Sequence, residues 1–105
     1  MFVNEARNEA RELRGFILSI CMHNYPHGCS EKLIATTVGE NQFDSSPALL
    51  RGHIEYLLEK GYVRTEVAEA KHLGISRTLV YITAKGIDLL EGNIQPDPGV
   101  LLFQR

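Results

Sequence analysis

The sequence predicts an α+β fold, mostly helical: a three-helix core, a β-hairpin and a short C-terminal helix. Three observations carry that expectation. Up to Gly61 apolar residues recur at helical spacing in three segments. From Tyr62 the pattern turns to β-branched and aromatic residues around a polar turn, and a second capped helical string runs from Thr83 to Gly92. Residues 1–92 form one predicted domain and 93–105 a proline-containing apolar tail. At 105 residues and 44% hydrophobic content, one core can be buried without metal or disulfide staples.

The first helix is expected from about Asn4 to Asn24, where Ala6, Ala10, Leu13, Ile17, Ile20 and Cys21 make a continuous apolar stripe facing the core. Arg7, Arg11 and Arg14 share one flank of this helix; Glu5, Glu9 and Glu12 share the other. Three arginines in a row suit a phosphate backbone, but the acidic flank halves any net field, so a solvated helix is the expectation. Phe16, Leu18 and Met22 add apolar surface that leaves room for the tail or for a second subunit.

Asn24 to Gly28 reads as a turn, after which Ser30 caps a short helix, Glu31 to Val38, with Leu33, Ile34, Thr37 and Val38 on its apolar side. Gly39 to Asp44 then leads to the best-marked helix, Pro47 to Lys60. Asp44, Ser45 and Ser46 supply cap oxygens, and Pro47 suits the first turn, where a missing N–H costs nothing. Leu50, Ile54, Leu57 and Leu58 point inward, and Gly61 supplies the left-handed stop. Ser45, Ala48, Gly52, Glu55, Tyr56 and Glu59 are expected to face outward, with Arg51 and His53 on the flanks.

Tyr62, Val63, Thr65 and Val67, then Thr78 to Thr83, are the residues of two strands, and Glu69 to Arg77, with Gly74, is the expected polar tip between them. A rival register places Gly74 in a tight inter-helical turn and starts a helix at Ser76. The β-branched and aromatic density of Thr78 to Thr83 argues against it. Thr83 is the expected cap of the last helix, which ends at Gly92.

The string Leu50-x3-Ile54-x2-Leu57-x3-Gly61-Tyr62-Val63, followed by Val80-Tyr81-Ile82-Thr83-Ala84-Lys85-Gly86-Ile87-x-Leu89-Leu90, resembles the winged helix-turn-helix superfamily over residues 10–92. The layout, with its leucine-glycine ending and proline tail, is also similar to small proteins of Mu-like prophages. The resemblance implies a recognition helix at Pro47–Lys60 that enters the major groove, and a hairpin wing that touches backbone or minor groove. It further implies a transcriptional regulator of a prokaryote or phage, acting on double-stranded DNA; the cytoplasm is expected separately, from the lack of a membrane-spanning apolar run and of a signal-peptide-like start.

The residues themselves give that reading mixed support. Only Arg51 on the exposed helix face has the chemistry for a bidentate guanine contact. Ala48 and Gly52 permit close approach, Ser45 and Ser46 sit where a helix N-terminus meets a phosphate, and Lys71, His72 and Arg77 cluster near the hairpin tip. Glu55 and Glu59 would repel DNA, and the net charge is −2, whereas phosphate affinity comes from Lys and Arg. A protein-interaction module that docks through the Ala48/Gly52 face or the tail is therefore the alternative.

Cys21, His23, His27 and Cys29 have zinc-ligand chemistry, but Cys21 and His23 stand two apart at a helix end and point to different sides. The expectation is a buried Cys21, exposed His23 and His27, Cys29 just before the cap, and neither metal nor disulfide. No Gly-rich phosphate loop, nucleophile with a spaced base or apolar-set carboxylate pair is present, so neither an enzyme nor a cofactor is expected. No apolar run approaches the roughly 20 residues that span a membrane, and the charged start Asn4-Glu5-Ala6-Arg7 is unlike a signal peptide. Val100-Leu101-Leu102-Phe103 is costly in water unless it docks, on its own core or across a homodimer formed through the first helix or the tail.

Overall fold

Four helices and a three-stranded antiparallel sheet make up the computed structural model, which describes residues 2–102, with side chains from Arg7 onward. Phe103 of the tail and the side chains of Glu5 and Ala6 lie outside the described residues. In chain order the elements are α1 (Phe2–His23), β1 (Cys29–Ser30), α2 (Glu31–Glu40), α3 (Pro47–Glu59), β2 (Val63–Ala70), β3 (Ile75–Ile82) and α4 (Ala84–Glu91). The strand order is β1-β3-β2, and about half of the chain is helical.

On α1 the expected stripe is buried at Leu13, Ile17, Ile20 and Cys21. Leu18 is also fully buried in the chain's own core, so it is not left over for a second subunit. Phe16 is half-buried and meets Phe43, ring centroids 5.4 Å apart. Ser30 caps α2 as expected, its hydroxyl accepting the N–H of Leu33 at 3.0 Å, and Ile34 and Val38 fill the core.

The short strand before that helix has no counterpart in the sequence reading. Cys29 and Ser30 pair with Val80 and Leu79 of β3, so Cys29 is a buried strand residue as well as the position before a cap. Two residues carry no periodicity to detect. At α3 the difference lies in the cap: Ser46 occupies the N-cap but its hydroxyl bonds no helical N–H, and Asp44 instead accepts the N–H of Ser46 at 2.9 Å. The far end is as predicted. Gly61 takes φ +82°, and the N–H groups of Gly61 and Tyr62 return to the carbonyls of Leu58 and Leu57.

The hairpin is longer in its strands and shorter at its tip than expected. Glu69 and Ala70 pair with Ser76 and Ile75, which leaves only a 3-10 turn, Lys71–Leu73, and a left-handed Gly74 to reverse the chain. Ser76 belongs to a strand, and no helix starts there. Val63, Val80 and Ile82 anchor the hairpin base in the core, whereas β2 is exposed from Arg64 to Glu69. Out there, polar residues decorate a strand as readily as a loop, which is why composition mistakes one for the other. Thr83 then caps α4, accepting the N–H of Gly86 at 3.1 Å and donating to the Gly61 carbonyl at 2.6 Å.

The tail folds back on its own domain. Val100 is buried and Leu101 and Leu102 are half-buried, with the N–H of Leu101 donating to the carbonyl of Arg11 at 3.0 Å. A Cβ at position 15 would overlap the Leu101 carbonyl oxygen, so Gly15 is what lets the tail lie against α1. The flank expected to be solvated is used here as well. Arg14 donates to the Gly99 carbonyl at 3.1 Å while its guanidinium lies 4.0 Å from the centre of the Tyr56 ring.

Asp97 holds the tail from the other side. Its buried carboxylate accepts the Tyr62 hydroxyl at 2.7 Å and the Gly99 N–H at 2.8 Å, with Lys60 at 3.5 Å. Burial alone would raise its pKa, but the Tyr62 and Gly99 hydrogen bonds and the Lys60 ammonium together hold it below the ordinary 3.8. Burial and the same carboxylate push Tyr62 up to about 12. Asp97→Ala is expected to cost about 2–3 kcal/mol in urea unfolding, because a buried hydroxyl and N–H lose their acceptor. The folded pKa lies below the unfolded one, so the ionised group's contribution is full above 3.8 and fades as the pH falls through the depressed value. The gap between wild type and Asp97→Ala should therefore shrink on acidification.

Candidate nucleic-acid interface

The outward face of α3 is narrower than its helical wheel suggests. Ser46, Ala48, Arg51, Gly52, Glu55 and Glu59 are exposed, and Ser45 is half-buried. Tyr56 and His53, both expected on the outside or its margin, turn inward. Tyr56 lies under Arg14, and His53 is 7% exposed, its Nδ1 accepting the Arg14 Nε–H at 3.2 Å. The cause is the docked tail with Arg14, which creates an inside where a lone helix would have a flank.

Arg51 reaches across to α2, where its guanidinium meets the Glu31 carboxylate at 2.9 Å. This pair stands on one wall of a groove of about 320 Å³ between the start of α2, α3 and β3. Lys32, Arg51 and Arg77 line it together with Glu31, Ser30, Ser76 and Thr78. Of the candidates drawn from the sequence, the structure thus brings Arg51 and Arg77 together. Lys71 and His72 are exposed at the hairpin turn and do not line this groove.

Ser30 and Lys32 line this groove without having been among the candidates drawn from the sequence. The signal was present in part: Ser30 marks a helix start, and Lys32 lies in the first turn. What placed them beside Arg77 is the pairing of Cys29–Ser30 with β3, a contact between distant segments that no local pattern announces. Three cations thus stand against one carboxylate, Glu31, with three hydroxyl residues, Ser30, Ser76 and Thr78, beside them. Ala48 and Gly52 stay open beside it, and a Cβ at Gly52 would meet nothing.

The cysteine and histidine cluster does not converge. His23 and His27 are exposed, while Cys21 and Cys29 are buried, with the Cys29 thiol 3.7 Å from the Ile20 carbonyl. Hydrogen bonding to Cys29 and burial push the Cys21 thiol up, and the same hydrogen bond lowers Cys29. No group of three or more His, Cys, Asp or Glu placed to hold a metal occurs among the described residues, and none of the described helices is long and apolar enough to cross a membrane.

No family model matches this chain, and no curated protein matches it at a significant level.

His53 gives α3 a dependence on pH. Burial, then the Arg14 guanidinium, pushes its pKa below the ordinary 6.5, so the unfolded chain takes up the proton first. Its contribution is present above 6.5 and is lost as the pH falls through the lower folded value. Urea unfolding should show stability dropping as the pH falls below the ordinary 6.5, and His53→Gln, which keeps an acceptor but cannot titrate there, should flatten that drop.

Proposed function

We propose that this chain is a winged helix-turn-helix DNA-binding protein, a transcriptional regulator of a prokaryote or phage that acts in the cytoplasm on double-stranded DNA. Three helices precede a hairpin and a fourth helix packs behind it, which is the order the sequence resemblance implies. The observation that carries the reading is the groove in which Lys32, Arg51 and Arg77 converge. In this reading the groove seats phosphates. The N-terminal half of α3, with Ser45, Ser46, Ala48 and Gly52, faces the major groove, and Lys71 and His72 reach further along the duplex.

A net charge of −2 means that affinity rests on this local cluster rather than on the overall field. Three phosphates neutralised give a slope of about −3 in log affinity against log salt. Fluorescence anisotropy of a labelled random duplex, titrated at low and at physiological salt, measures it. Arg51→Ala and Arg77→Ala should each weaken binding and reduce the slope by about 1, and Glu31→Gln, which frees Arg51, should strengthen binding. Absence of binding even at low salt would refute the proposal.

One observation favours a second reading, a protein-interaction module. Leu49 is 39% exposed beside Ala48 and Gly52, which gives α3 a small apolar face bordered by Glu55 and Glu59. A homodimer joined through this face would show in sedimentation equilibrium and dissociate on Leu49→Ser, with no dependence on DNA.

A further inference from the structure

Beyond the core, the hairpin carries large apolar side chains that nothing in the described chain covers. Leu73 is 64% exposed, Val67 61% and Ile75 42%. A single exposed leucine needs no explanation, but Leu73 and Ile75 stand together at the tip of a projecting ribbon, and Val67, paired with Thr78, adds an exposed apolar residue on the ribbon's other face. Leu73 closes the 3-10 turn, Gly74 at φ +64° reverses the chain, and Ile75 starts β3 opposite Ala70. Ala68 faces Arg77 two positions further along, so one face of the ribbon combines small residues, Ile75 and a guanidinium. Such a face is thin and can approach a partner closely.

The charges around the tip choose the partner. Lys71, His72 and Arg77 flank the apolar residues and are all exposed, and Glu66 is already engaged by Arg64 at 2.6 Å. Glu69, opposite Ser76, is the carboxylate nearest the turn. The ribbon is also continuous with the phosphate-seating groove, because β3 leads from Ile75 directly to Ser76 and Arg77, which line it. A second copy or an apolar protein patch would not call for cations on both sides of the turn; a duplex would.

We propose that the hairpin tip is a minor-groove wedge: Leu73 inserts between base pairs, Lys71 and Arg77 hold the flanking phosphates, and the protein kinks the duplex it binds. This rests on the DNA-binding reading above. Apolar wedges unstack a base step and bend the duplex away from the opened minor groove, which wraps more of it onto the protein. Pyrimidine–purine steps unstack most easily, so the wedge also confers a preference at a position where no base edge is read.

The test uses the full chain and a duplex of about 20 base pairs carrying donor and acceptor dyes at its ends, with either a central TA step or a central A-tract. The wild type should raise energy transfer on the TA duplex by a bend within about 20–90°, and bind it more tightly than the A-tract duplex. Leu73→Ser, at an exposed position, should fold with an unchanged melting temperature and keep the salt slope while losing the bend. Leu73→Phe, still an apolar wedge, should retain it. Wild-type binding without a bend, or an unaltered bend in Leu73→Ser, would overturn the wedge and leave DNA binding standing. Failure of the wild type to bind either duplex at low salt removes both. Loss of self-association in Leu73→Ser with unchanged DNA behaviour would assign the tip to a second copy instead.

Discussion

The antiparallel pairing of Cys29 and Ser30 with Val80 and Leu79 joins the two halves of this molecule. Without it the hairpin would be tied to the helices only at its base, where Tyr62 bonds Leu57 and Thr83 bonds Gly61, and the angle between them would follow whatever packing allowed. With it, the start of α2 is fastened to the inner strand of the hairpin by backbone hydrogen bonds, whose spacing tolerates little slip. Cys29 contributes from both sides of its backbone. Its amide and carbonyl lie in the sheet, and its fully buried side chain rests against Cys21 and the last turns of α1. The cap hydroxyl of Ser30 and the ammonium of Lys32 thereby come beside Arg77 of a strand more than forty residues away.

That arrangement reconciles an acidic chain with a basic site. The net charge of −2 is spread over helix faces, whereas the groove holds three cations against Glu31. The Arg51–Glu31 contact does not close it, because Arg51 is 67% exposed and exposed ion pairs contribute about 0.2–1 kcal/mol. A phosphate offers the guanidinium two oxygens in bidentate geometry, a stronger partner than a half-screened carboxylate. In the DNA-binding reading Glu31 acts as a placeholder, one that keeps Arg51 extended across the groove.

Helices were legible in the sequence because each advertises itself twice, by a repeating apolar face and by its ends. Ser30, Pro47, Gly61, Thr83 and Gly92 all stand at the predicted boundaries. The strands were legible by residue type, but their length was not, since beyond the core an exposed ribbon and a polar loop have the same composition. What local pattern could not show are contacts between segments far apart in the chain: the short strand, the seat of the tail, and the inward turn of His53 and Tyr56 once Arg14 and Gly99 close over them. The candidate site followed the same rule. Arg51 and Arg77 were readable as cations on plausible elements, whereas Lys32 and Ser30 matter only through the pairing that delivers them.

The docked tail also narrows how two copies could meet. An apolar run such as Val100-Leu101-Leu102 invites exchange between subunits, but here its seat is shaped for it within one chain. Gly15 leaves room for the Leu101 carbonyl, the Arg11 carbonyl takes the Leu101 N–H, and Asp97 is bound by Tyr62 and Lys60 of the same domain. Tail exchange would have to rebuild all of these contacts in a partner while gaining no new apolar burial, so its only net term is the entropic cost of association. A dimer must instead draw on surface that the monomer leaves open, and the described apolar positions that qualify lie on α3 at Leu49, on α2 at Leu33, at Tyr25 and on the hairpin. Of these the hairpin sets Leu73 and Ile75 between Lys71 and Arg77, so in the DNA-binding reading its apolar tip is spoken for by the duplex, and Leu49 on α3 is left as the face for a second copy.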